Sequence, residues 1–287
     1  MLAGLRDGRR RPSPLIVLLA IAAPFGLALG IGGLLMHLQA DPFVDVRAYY
    51  DAGARLNAGL PLYDTTAASP TGLYLYPPLL AILFRPLALL PFEGAAAIWE
   101  TVIVAAFGLV LWRAGLRPVV VLAVAVLALP ITWALAIGQA EPLVTLALAF
   151  PTPLSVALAG HLKLAPLVVA VWWLARRDLG WLARLAACWV ALAVLQLVLA
   201  PDATLTYVRL EWLQPAFGVQ NISPFAVHPA LWVALVAVLA VLAWRRARGR
   251  DGWAWVVALA VLVYPRLLAY QLMTLLAAFG GPRERNR

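Results

Sequence analysis

Charge is scarce in this chain of 287 residues: Asp, Glu, Lys and Arg together make up 12%, against 64% hydrophobic residues and a mean hydropathy of +0.90. That balance excludes a disordered chain and a water-soluble enzyme, because a soluble fold of this length cannot hide so much apolar surface in one core. Cysteine is nearly absent. Cys188 stands alone in an apolar run, which excludes an intramolecular disulfide and a thiolate metal site and leaves it a packing residue. Histidine is limited to His37, His161 and His228, too scattered for metal-ligand spacing. HExxH, P-loop, GxGxxG and GxSxG patterns are all missing, so metalloprotease, nucleotide-loop and serine-hydrolase chemistry find no support.

What is present is long apolar sequence punctuated by arginine. The formal charge of +9 and pI near 10.4 would suit nucleic acid, but the basic residues lie in short clusters between apolar segments, so they mark topology and no nucleic-acid partner is expected. Lys163 is the one lysine, and the Arg/Ala/Leu bias is that of a GC-rich bacterial genome. Arg6, Arg9, Arg10 and Arg11 precede an uncharged stretch, 15–36, long enough to cross about 30 Å of hydrocarbon, which reads as a signal-anchor helix behind a cytoplasmic tail, 1–14. A first outside loop, 37–78, follows; Asp41, Asp45, Asp51 and Asp64 outnumber Arg47 and Arg55 there.

Residues 79–279 carry the remaining apolar segments, from Leu79, Ala95, Val119, Pro142, Pro153, Trp181, Pro229 and Trp253 onward, before a second cytoplasmic tail at 280–287. Basic clusters at Arg113/Arg117, Arg176/Arg177/Arg184, Arg245/Arg246/Arg248/Arg250 and Arg283/Arg285/Arg287 fall inside by the positive-inside rule. The expectation is one all-α, polytopic domain in the bacterial cytoplasmic membrane with about eight crossings. Leu79–Leu90 is expected to be interfacial or re-entrant, the stretch Pro142–Leu174 to cross once or three times, and the last stretch to be two half-length helices meeting at Pro265. Broken helices survive in lipid only where they line a protein-walled or wet cavity, which points to a buried site near the outer face.

Three groups could carry chemistry. The outside loop brings Asp45 and Arg47 together with Tyr49, Tyr63 and Tyr76, aspartates beside aromatics, a composition that suits sugars. The same tyrosines would equally serve an interfacial belt. Lys163 and Arg266 sit between apolar segments, where a cation could grip a lipid phosphate or snorkel to headgroups; Arg85, Glu93, Glu100 and Glu141 are the other ionisable residues at membrane level. A polar loop from Pro201 to His228 offers Asn221 and Ser223 for sugar hydroxyls, and Gln139 lies in the turn Gly138-Gln139-Ala140-Glu141.

The ordered fragments resemble the polyprenyl-phosphate-mannose-dependent mannosyltransferases of glycosyltransferase family 87, within the GT-C superfamily. They are Asp45, Tyr49, Ala52, Leu56, Gly59 and Leu62-Tyr63; Tyr76-Pro77-Pro78, Pro86-Leu87, Leu90-Pro91 and Trp99; Gly138-Gln139; Lys163 with Pro166; Asn221 with Ser223; and Pro265-Arg266 with Tyr270. The resemblance runs from Asp45 to Phe279, with departures at Leu164 and Gln271 and a compressed stretch at Pro142–Ala159. It implies an inverting transfer of a sugar from a polyprenyl-phosphate carrier to a glycolipid or glycan acceptor at the outer membrane face. Asp45 would be the general base, Lys163, Arg266 or Arg47 would hold the phosphate, and Tyr49, Tyr63, Tyr76, Gln139, Asn221, Ser223 and Tyr270 would contact sugar or acceptor. No metal or other cofactor is called for. The competing readings are a lipid-carrier or solute transporter, which would leave Asp45 unexplained, and a non-catalytic binding subunit of the same fold.

Overall fold

A computed structural model describes residues 13–63, 74–209 and 221–282, and these are helical without strands. Four helices are long and apolar enough to cross a membrane: α1 (Pro14–Ala40), α4 (Phe92–Ala114), α10 (Leu179–Leu199) and α12 (Pro229–Arg246). A fifth span is possible if α5 (Pro118–Val126) and α6 (Ala128–Ala136), bent by 61°, count as one. That is fewer full-length spans than the eight crossings expected, because the other apolar stretches are broken into half-length pieces. They are α3 (Pro78–Phe84), α7 (Glu141–Ala149), α8 (Pro153–Leu162), α9 (Val171–Ala175), α13 (Gly252–Leu262) and the 3-10 helix Ala269–Phe279. Leu79–Leu90 holds most of the short helix α3 and a 3-10 turn, Leu87–Leu89, and the last stretch is broken between Leu262 and Ala269, around Pro265. Two further short helices, α2 (Val44–Asn57) and α11 (Pro201–Val208), and the 3-10 segments Ala165–Ala170 and Pro224–Ala226 complete the described helices.

The α5–α6 bend follows from Pro130, which donates no hydrogen bond and whose ring crowds the carbonyl of Val126, four residues earlier. A stripe of small residues on α1 receives it. A methyl added at Gly26 would lie 2.4 Å from the Ala125 carbonyl oxygen, one at Gly30 2.6 Å from the Ala128 Cβ, and one at Gly33 2.4 Å from Leu129. Thr132 seals the contact by donating to the Gly30 carbonyl at 2.9 Å.

Helix α6 ends in a Schellman cap. The Gln139 N–H reaches the Ala134 carbonyl at 2.8 Å and the Gly138 N–H the Leu135 carbonyl at 3.2 Å, with Gly138 at φ +72°. The next carbonyls, Ala136 and Ile137, accept from the backbone N–H groups of Phe43 (3.1 Å) and Asp45 (3.0 Å), so free acceptors at the end of α6 satisfy free donors at the start of α2. One apolar cluster, around Tyr49, Phe84, Trp99 and Ile103, backs this junction. A second, around Trp172, Trp173, Trp253 and Met273, fills the rest of the bundle.

Candidate functional site

Asp45 lies in the first turn of α2, beside the capped end of α6. Helical spacing puts Tyr49 on the same face, one turn on. Both reach Gln139, which is fully buried. The Gln139 Nε2 donates to Asp45 Oδ2 at 2.5 Å, while its Oε1 accepts from the Tyr49 hydroxyl (2.8 Å), the Tyr76 hydroxyl (2.9 Å) and the Ala140 N–H (2.8 Å). Three donors on the carbonyl oxygen fix which way the amide points. The turn itself is anchored by Trp99, whose Nε1 donates to the Gly138 carbonyl at 2.7 Å.

Lys163 caps the C-terminal end of α8 and is buried. Its ammonium bonds Glu141 Oε2 at 2.5 Å and lies 4.8 Å from the Tyr270 ring centre and 5.5 Å from that of Tyr76. A buried ion pair persists only where further hydrogen bonds satisfy the charges, and Glu141 has them. Thr274 donates to its Oε1, and Thr145 Oγ1 in turn lies 3.1 Å from Thr274 Oγ1. Tyr76 thus joins the two halves, its hydroxyl on Gln139 and its ring before Lys163.

Withdrawal of the Asp45 carboxyl from water pushes its pKa up from 3.8 to about 7; the Lys163 cation opposes the rise and the Asp41 carboxylate adds to it. The Asp41 carboxylate accepts from His37 Nδ1–H at 2.8 Å, and the buried His37 ring stacks on Trp133, which meets Tyr270 edge-on.

The remaining expected residues are placed differently. Tyr63 donates to the Tyr76 carbonyl at 2.8 Å and packs between Tyr74 and Tyr207, so it extends the aromatic wall. Arg47, two residues along α2 and so on its far side from Asp45, lays its guanidinium 3.4 Å over the Phe92 ring. Asn221 clamps the break after α13: its amide donates to the Pro265 carbonyl and its Oδ1 accepts from Leu267 and Ser223 N–H, each at 2.9 Å. The buried Ser223 caps the next 3-10 turn. Arg266 is exposed at that break. Gln271, at a departure from the resemblance, turns its Oε1 to the Leu268 N–H at 2.7 Å.

Sequence reasoning singled out Glu141 as a charge at membrane depth but missed its pairing with Lys163 and the threonines behind it. It also missed Gln196, buried in α10, which accepts from the Leu79 N–H at 2.9 Å and lies 2.7 Å from His161 Nδ1. A lone amide in an apolar helix is the signal that could have flagged it.

An acidic group held against an amide, a neighbouring buried cation and a wall of tyrosines suits chemistry on a hydroxylated, anionic substrate. The sequence model of glycosyltransferase family 87 matches residues 74–276. The chain belongs to glycosyltransferase family 87. It is therefore a membrane glycosyltransferase. The family 87 match includes Tyr76, Gln139, Glu141, Lys163, Asn221, Ser223, Arg266 and Tyr270, while Asp45, Arg47, Tyr49 and Tyr63 lie before it. No curated protein and no solved structure matches the chain.

Proposed function

We propose that this family 87 member transfers a hexose such as mannose from a polyprenyl-phosphate carrier to an acceptor hydroxyl, with inversion, at the outer face of the cytoplasmic membrane. Asp45 takes the acceptor proton as the hydroxyl oxygen attacks the anomeric carbon; the bond from that carbon to the phosphate oxygen breaks, and polyprenyl phosphate leaves with the electron pair. The observation that carries the reading is the pair of buried networks meeting at Tyr76, one holding Asp45 through Gln139 and the other holding Lys163 through Glu141. A carboxyl near pKa 7 is matched to base catalysis at neutral pH. Lys163 spends one N–H on Glu141 and keeps two for charge developing on the phosphate, with Arg266 at the nearby break as a second cation. Tyr76, half-buried, gives the sugar a face to stack on, with Tyr49 and Tyr270 buried as its support. Asn221 and Ser223 serve by holding the Pro265 break. The step needs neither metal nor nucleotide.

The test is sugar transfer by purified protein in lipid from a panel of short-chain polyprenyl-phosphate sugars, wild type beside Asp45→Asn. Turnover of one donor that vanishes in the variant is expected. Binding of the carrier without consumption of any donor would favour the non-catalytic or transport readings instead.

A further inference from the structure

At the other end of the bundle, the ends of α9 and α12 flank an open cavity of about 360 Å³, lined by Leu174, Ala175, Arg177, Trp244, Arg245 and Arg248. Along α10, Gln196 lies 17 residues from Leu179, or about 26 Å at 1.5 Å per residue, so the cavity is remote from the Asp45 cluster. Its walls are fixed by reciprocal bonds: Arg176 Nε donates to the Ala247 carbonyl at 3.0 Å, and an Arg248 guanidinium nitrogen donates to the Ala175 carbonyl at 3.2 Å. Tryptophans brace them from below, Trp173 stacked on Trp181 with ring centres 3.4 Å apart and Trp253 edge-on to Trp173.

Three cations face this space and no acid lines it. The nearby carboxylates are engaged elsewhere, Asp178 in capping α10 and Asp251 with Arg246 and Trp255. Arg245 and Arg248 stand three residues apart, on one side of the helix end, where like charges repel unless an anion sits between them. The side chains of Arg177 and Arg245 have no hydrogen bond or ion pair among the described residues. Leu174 and Trp244, about half exposed at 47% and 51%, give the rim an apolar side at the end of a membrane span. Guanidinium forks suit phosphate, and basic pockets between helices at a membrane surface suit lipid headgroups. The volume is that of roughly a dozen waters, enough for a phosphate with a small polar substituent.

We propose that this pocket binds the headgroup phosphate of an anionic phospholipid, with Arg177, Arg245 and Arg248 on the phosphate and Leu174 and Trp244 against the acyl chains. The experiment is native mass spectrometry of the delipidated full-length protein titrated with dioleoyl phosphatidylglycerol, dioleoyl phosphatidylcholine or inorganic phosphate. Wild type should retain one phosphatidylglycerol at least tenfold more tightly than the Arg177→Ala/Arg245→Ala/Arg248→Ala variant. Arg184→Ala, which removes an arginine from the same end of α10 outside the pocket, should bind as wild type does. Arg245→Ala alone, should the triple variant not fold, is expected to weaken binding severalfold. Equal retention by the pocket variants, equal affinity for phosphatidylcholine, or displacement of the lipid by millimolar inorganic phosphate would each overturn the proposal.

Discussion

The two ends of the bundle differ in their balance of aromatic residues. Seven of the eight tyrosines, all but Tyr50, gather around Asp45 and Glu141, whereas Trp172, Trp173, Trp181 and Trp253 pack on one another at the arginine end. A phenol carries a hydroxyl that can give or take a hydrogen bond; an indole has a single donor, which Trp253 spends on the Ala277 carbonyl. At the tyrosine end one hydroxyl, that of Tyr264, is buried with no partner among the described residues. One end presents hydroxyls that can bond a polar guest; the other is filled mainly by ring packing.

The strongest way to break the comparison is at Asp45. Asp45→Asn should lower transfer by about 10²- to 10⁴-fold while leaving the melting temperature near wild type, since shape and hydrogen-bond capacity survive; undiminished turnover would remove the base. Truncating Lys163 to Ala strands a buried Glu141 and should cost on the order of 3–5 kcal/mol of stability. The double variant Lys163→Met/Glu141→Leu sharpens this, because an apolar pair of similar volume should recover stability without recovering donor binding. Recovery of both would make the ion pair structural only. At the opposite end Trp173→Ala should cost about 3–5 kcal/mol in chemical denaturation, yet the folded fraction should turn over at the wild-type rate.

Smaller effects test the electrostatics. Transfer needs Asp45 ionised, so the rate should rise with pH through a limb near 7. Asp41 raises the Asp45 pKa, hence Asp41→Asn should move that limb to lower pH, seen in the pH profile of kcat/KM; a shift the other way would contradict the arrangement. Gly138→Ala should cost at least about 1–3 kcal/mol through its positive φ alone, and its methyl would also collide with Val46, parting α2 from the Gln139 turn.

Much of the fold could be read from local chemistry. Pro130, Gly138 and Pro265 mark a bend, a cap and a break where the structure has them. Asp45 and Tyr49, four apart, share a helical face only because a helix, α2, runs through the outside loop expected at 37–78. The same reasoning applied to Arg47, two residues from Asp45, would have sent it away from the site, as happens once α2 is known to be a helix. What could not be read is pairing over distance. Glu141 meets Lys163 across 22 residues and Thr274 across 133, contacts set by how broken helices pack. The number of full-length spans was hidden for a related reason, since hydropathy counts apolar stretches and does not see where they fold back.

The saturated carbonyl of Gln139 has one more consequence. Its amide can offer Asp45 only an N–H, so the hydrogen-bonded chain behind the aspartate carries no acceptor to which a captured proton could pass. A proton taken by Asp45 in the proposed reaction would leave by the side from which the acceptor came. In the proposed reaction, exchange of product for water on that side, and not a relay through Gln139, would return Asp45 to its ionised form.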